Sequence, residues 1–192
     1  AMTDSFGKDD ISKIFFSESD ALGELRSNTL LIVCDVHRAG MTISPKLVEK
    51  AAKIMVIDHH RRGEEFIESP IFANIDTSAS STSEIISEFI RYSSVNPKIT
   101  MSPEFATIML SGIFLDSNYF KNTTSGSRTF EASMILKDFG ADNAKADDFL
   151  KDEYEEYALI TKIVSTMKTP EFGVVYCVAD AEDNIEQATL AK

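Results

Sequence analysis

One stretch narrows the folds open to this chain more than any other. Ile54-Met55-Val56-Ile57, an apolar and largely β-branched run, ends abruptly in Asp58-His59-His60-Arg61-Arg62. Such a run reads as a strand buried on both faces of a parallel sheet. Ligands of open α/β sheets bind beyond the carboxyl ends of the strands, which is where Asp58-His59-His60 falls. Imidazole and carboxylate together are donors suited to Mn, Fe or Zn ions. The plain alternative is a capped strand end whose histidines only satisfy backbone groups.

A second run repeats the pattern. Leu30-Leu31-Ile32-Val33-Cys34 leads into Asp35-Val36-His37-Arg38. Between the two runs, Ser44 to Ala52 supplies a cap, a proline at the first helical position and apolar residues at helical spacing. Strand, helix, strand is a βαβ unit, and its crossover makes the strands parallel. Asp35 and Asp58-His59-His60 then leave the same edge of the sheet. That convergence points to a metal site, and the fold class it implies is α/β, a Rossmann-like parallel sheet flanked by helices.

Further along, 61–68 reads as a charged loop or short helix and 71–75 as a third strand. Ser80 or Ser81 with Glu84 marks a helix start whose apolar face is Ile85, Ile86, Phe89 and Ile90. A helix start rich in hydroxyls and free N–H groups either holds phosphate or is an ordinary cap. Ser102-Pro103 opens a helix apolar on nearly every side, expected to be central, with Asp116 at its end. A carboxylate there needs a cation or a backbone cap. The loop 122–128 combines hydroxyls, Gly126 and Arg128, as a phosphate clamp or a helix-capping loop would. Thr129–Phe139 reads as a helix stopped by Gly140. Residues 142–150 and 152–167 read as helices, Thr169-Pro170 as a boundary, Glu171–Val178 as one strand, and 180–192 as the start of a helix.

Composition sets the bounds. With 192 residues, 43% of them hydrophobic, the chain can bury one sizeable core. A net charge of −12 excludes a general nucleic-acid surface, so phosphate must be bound at a local site. No stretch approaches the length of a membrane span, and no signal peptide is visible. Cys34 and Cys177 fall in apparent strands and are expected to be reduced, buried thiols of a cytoplasmic protein.

The segments now on the page resemble a known family. Val-Ile-Asp-His-His-Arg-Arg-Gly-Glu-Glu-Phe-Ile-Glu (56–68) closely resembles the third motif of DHH-family phosphoesterases, most nearly the membrane-anchored GdpP-type cyclic di-AMP phosphodiesterases. The likeness continues through Cys-Asp-Val-His-Arg (34–38), Ser-Ala-Ser-Ser-Thr-Ser-Glu (78–84), Gly-Ile-Phe-Leu-Asp-Ser (112–117) and Thr-Ser-Gly-Ser-Arg-Thr-Phe (124–130). It implies a two-manganese (Mn²⁺) phosphodiesterase that hydrolyses cyclic di-AMP to linear pApA. On that resemblance Asp35, His59 and Asp116 are metal ligands, Asp58 orients a histidine, and His60 assists charge or proton transfer at the phosphate. Ser80, Ser81, Thr82 and Arg128 would contact the substrate, and the role of His37 is left open.

The resemblance also implies departures. Asp20-Ala21-Leu22-Gly23 only superficially resembles the family's first motif, because no apolar strand leads into it. The chain is therefore expected to be a piece truncated before that motif: 1–168 a partial DHH domain, 169–192 a linker and the first elements of a DHH-associated domain. Activity would belong to the parent protein, anchored in a membrane with its catalytic part facing the cytoplasm. The piece itself would be nearly inactive, hold metal weakly and self-associate through open sheet edges as a homo-oligomer. The competing readings are an oligoribonuclease or exonuclease of the same family and a non-catalytic nucleotide-binding module.

Overall fold

The computed structural model describes residues 14–94, 99–151 and 154–178. The helix expected over 180–192 lies outside the described residues. Contacts divide the chain into two compact units, Ala1–Leu150 and Lys151–Lys192.

In the first unit, Glu18–Glu24 (α1) precedes Leu30–Cys34 (β1), Lys53–Asp58 (β2) and Phe72–Ile75 (β3), which form a parallel sheet in that order. β2 is central because its second half can be buried on both faces: Val56 is 2% exposed, Ile57 4% and Asp58 0%. The register pairs Cys34 with Ile57 and Asp58 with Ile75. The amide of Asp35 donates to Ile57 O and that of Asp76 to Asp58 O, so the three strands end in step and each ends at an acid. This is the convergence the βαβ pattern predicts.

The connections follow from local chemistry. Pro45–Lys50 (α2) links β1 to β2, with Ser44 accepting from the Leu47 amide and Pro45 in the first turn. β2 reaches β3 through a loop, not a helix. Ile67 pins that loop by packing on Val33 and Val56, and its amide donates to His37 O at 2.8 Å.

Thr82–Tyr92 (α3), Pro103–Ser117 (α4), Ser127–Asp138 (α5) and Asn143–Asp148 (α6) complete the unit. Ser81 caps α3, and Ile85 packs with Ile57 and Ala79 of the sheet side. α4 is central as expected: Ala106, Leu110, Ile113 and Phe114 meet Ala132 and Leu136 of α5 and Ala146 of α6. Its remaining apolar residues are not all covered; Phe105 and Leu115 stay exposed.

Two expectations need correction. Cys34 and Cys177 are free and exposed, not buried. β1 is an edge strand, and Cys34 shares with Leu30 and Ile32 its open face, two residues apart each time. Residues 171–178 are not one strand either. In the second unit Tyr154–Val164 (α7) is followed by Lys168–Glu171 (β4) and Val174–Tyr176 (β5), an antiparallel pair turned at Gly173, whose φ of 83° favours glycine. Pro170, read as a boundary between 168 and 169, lies within β4, while the compact units part between Leu150 and Lys151. Among the described residues no helix is long and apolar enough to cross a membrane.

Candidate functional site

Asp35 leaves β1 with a φ of 65°, a left-handed conformation uncommon for a residue with a side chain. Its Oδ1 accepts from the Thr82 hydroxyl at 2.8 Å and lies 3.4 Å from His59 Nε2. Asp116, near the end of α4, brings Oδ2 to 3.5 Å from the same nitrogen. His59 Nε2 is buried between the two carboxylates and finds no hydrogen-bond partner. Donor atoms of Asp35, His59 and His60 lie within 4.8 Å of one another. The sequence reading separates His60 from the ligand set; the structure places it within the same cluster.

The charges around His59 are unbalanced in a way a cation would relieve. The His59 imidazole beside it holds the Asp35 carboxyl below its usual range, helped by Thr82 against the effect of burial. Burial, and then repulsion from Asp35, pushes Asp116 up. His59 is pushed up in turn, chiefly by Asp35, with Asp116 adding to it. A buried orphan nitrogen flanked by two carboxylates that repel each other is a donor set that fits a divalent ion.

Asp116 is fixed by an unusual turn. Asn118, Tyr119 and Phe120 follow one another with φ of 47°, 54° and 64°. Left-handed backbone is tolerable for asparagine and costly for the two aromatics. The turn closes through Tyr119 N to Phe114 O at 2.8 Å, and Asn122 Nδ2 donates to Asp116 O at 2.6 Å. Its rings supply the compensation: Phe120 packs edge-on to Phe114 and stacks on Phe130 at 4.8 Å.

Behind this cluster, Asp58 is a buried acceptor. It takes the amides of His59 and His60 at 2.8 and 3.2 Å, His60 Nδ1 at 2.8 Å, and the short hydrogen bond of His37 Nδ1. Burial would raise its pKa, but the hydrogen bonds from His60 and His37 and the His60 amide hold it below the usual range. A carboxylate only accepts, so both imidazoles present Nδ1–H to it. The Gly63 amide donates to Nε2 of His37 at 3.5 Å, and His37 is 3% exposed. His37 is thus a buried support for Asp58. Its place two residues after Asp35 is the only sequence signal that could have suggested this.

The expected substrate contacts are engaged elsewhere. Ser80 and Ser81, 2% and 0% exposed, are buried in the start of α3. Ser80 donates its amide and hydroxyl to Glu84, and Ser81 accepts from the Glu84 amide. Thr82 is bound to Asp35. Arg128 is held bidentate by Glu88 at 2.7 and 2.8 Å and by Asp76 at 2.9 Å, which keeps its guanidinium firmly charged. In this structure the helix start satisfies Ser80 and Ser81, an Arg–carboxylate fork satisfies Arg128, and Asp35 accepts from Thr82. Glu84, 1% exposed and anticipated only as part of the helix start, gathers Ser80 and Thr129 (2.7 Å) into one buried network behind Thr82. Asp20 lies in the first turn of α1, hydrogen-bonded to its cap Ser17.

Several known proteins are similar to this chain. Cyclic-di-AMP phosphodiesterases GdpP of Geobacillus thermodenitrificans and of Bacillus subtilis are 38% and 33% identical to the chain over 90% and 93% of its length. The chain spans only 26% and 27% of those relatives. The crystal structure of an exopolyphosphatase-related protein from Bacteroides fragilis superposes with a TM-score of 0.60 at 19% identity, covering 73% of this chain and 41% of that one, and so shares its fold. The profile of the DHH family, N-terminal domain, matches residues 3–113. That match spans more than half of the chain, and the chain belongs to the DHH family.

Proposed function

We propose that this chain carries the metal-binding centre of a divalent-metal-dependent phosphodiesterase that opens cyclic di-AMP to linear pApA. The observation that carries the reading is His59 Nε2, buried and without a hydrogen-bond partner between Asp35 and Asp116. The substrate is supported by relatives named as cyclic-di-AMP phosphodiesterases.

A divalent ion bound here, Mn²⁺ on this reading, supplies Lewis-acid polarisation of the phosphate and an acidified water. Asp35, His59 and Asp116 would hold it, and Thr82 fixes the Asp35 carboxylate by its 2.8 Å hydrogen bond. Asp58 orients His60 through Nδ1, leaving Nε2 of that half-exposed ring to deliver a proton to the leaving sugar oxygen. Among the described residues the three donors Asp35, His59 and Asp116 would serve one ion; a two-ion centre draws on more ligands than these. Weak Mn²⁺ binding and slow turnover are therefore expected of the 192-residue chain by itself.

The test is calorimetric titration of Mn²⁺ together with cyclic di-AMP hydrolysis, using the chain with any coding sequence that flanks it in the gene. Asp35→Ala should weaken metal binding and cut turnover by about a hundredfold, the scale of losing a ligand and its support. Unchanged metal affinity in Asp35→Ala would refute the ligand assignment. Preference for a short RNA over cyclic di-AMP would move the substrate to oligonucleotides.

A further inference from the structure

Beside the ligand cluster lies a cavity of about 280 Å³, and Asp35 and His60 form one wall of it. Asp58 lines it too, as do Arg38, Arg61 and Met41, residues that no step above uses. We propose that Arg38 and Arg61 form an anion subsite that holds the second, uncleaved phosphate of a dinucleotide. This inference rests on the function proposed above and names how that site recognises a substrate with two phosphates.

Charge is the first argument. The chain has 31 acidic residues against 19 lysines and arginines, so two arginines gathered at one cavity stand out against an acidic background. Among the described residues Arg26, Lys46 and Arg128 each have a carboxylate within ion-pair distance, and Arg62 lies 4.6 Å over the Phe66 ring. Neither Arg38 nor Arg61 has a carboxylate partner among them. Two unneutralised guanidiniums lining one cavity, next to a cluster that fits a cation, are arranged for a ligand with more than one negative group.

Positioning is the second. Arg38 is not a loose surface side chain. Its Nη1 lies 3.9 Å from Met41 Sδ, and a Cβ built on Gly63 would stand 2.6 Å from Nη2. The glycine lets the loop after the histidines pass against the guanidinium and hold it at the cavity. That contact is with the far end of a flexible side chain, so Gly63→Ala displaces the guanidinium without a clash against backbone. The cavity is slightly below the range of roughly 300–1,000 Å³ for complete small-molecule pockets, which suits one phosphate and the adjoining part of a nucleotide rather than a whole dinucleotide. Met41, 68% exposed, offers a polarisable face to that part.

The test compares ligands with one and two phosphates, on the chain with any flanking coding sequence. In steady-state assays Arg38→Met and Arg61→Met should each raise KM for cyclic di-AMP about tenfold, the effect of one lost charge-assisted hydrogen bond, with kcat little changed. Hydrolysis of bis(p-nitrophenyl) phosphate, which has one phosphate, should not change. Gly63→Ala should move KM in the same direction. Equal losses on both substrates, or no change on either, would overturn the subsite. Binding separates this from the function proposed above. If the wild type does not hydrolyse cyclic di-AMP, that function fails, and the subsite is still judged by affinity for pApA against AMP. Arg38→Met should weaken pApA about tenfold and leave AMP alone, again by one charge-assisted contact; an equal effect on both, or none, would refute it.

Discussion

Removing the Asp58 carboxylate would strand four donors at once: two imidazole N–H groups and two backbone amides. Because Asp58 and His37 are both buried, Asp58→Ala is expected to destabilise the fold by about 3–5 kcal/mol, since each buried donor left without an acceptor costs roughly 1–3 kcal/mol. His60→Ala, at a half-exposed ring, should cost less than about 1 kcal/mol. Urea denaturation of the two variants measures the contrast; a small loss in Asp58→Ala would mean that water replaces the carboxylate. Asp35, His59 and Asp116, the ligands proposed above, stand out as candidates in the sequence because each lies at or just after the abrupt end of an apolar run. His37 as a support for Asp58, and the reach of Glu84 beyond its helix start to Thr129, were not legible there. Their partners lie 21 and up to 45 residues away, and nothing local marks a histidine or glutamate that the fold will bury.

The seam between α3 and α5 shows the same limit for elements. Thr82 presents its hydroxyl to Asp35 because Ser81 and Glu84 fix the start of α3, while Arg128 of α5 joins Glu88 of α3 to Asp76 beyond β3. The Ser78 hydroxyl, and with it the Ser78 amide and Arg128, holds the Asp76 carboxyl below its usual range against the effect of burial. A folded-state pKa below the unfolded value, near 3.9 for Asp, means stability present above that pH and lost as pH falls through the folded value. Thermal unfolding should therefore show wild type more stable than Asp76→Asn at neutral pH, with the gap closing below about pH 4. A gap that persists in acid would place the effect outside this carboxylate. β1, α2 and β2 could be read from sequence because caps, proline and periodicity are local. The β4–β5 hairpin could not, since Phe172-Gly173 interrupts an otherwise continuous strand-like pattern.

For the whole molecule, the exposed edge of the sheet matters most. β1 has β2 as its one strand partner among the described residues, and Leu30 and Ile32 on it are 43% and 52% exposed. On the far edge Phe72 is 44% exposed. Open, apolar edges are templates for pairing with another strand. Light scattering should show mass rising with concentration, and Ile32→Lys should suppress it; a constant monomer mass would show the edges to be protected. The left-handed turn after α4 reaches further still, into how this sequence can drift. Phe114, Phe120 and Phe130 offset the backbone cost at 119–120, so losing any one ring leaves that cost uncovered until a glycine arrives in the turn. Each single step passes through a less stable protein, whereas the pair of changes need not. Substitutions in this aromatic cluster are thus expected to be epistatic, and the order in which they occur is constrained by an aspartate that belongs to the chemistry rather than to the core.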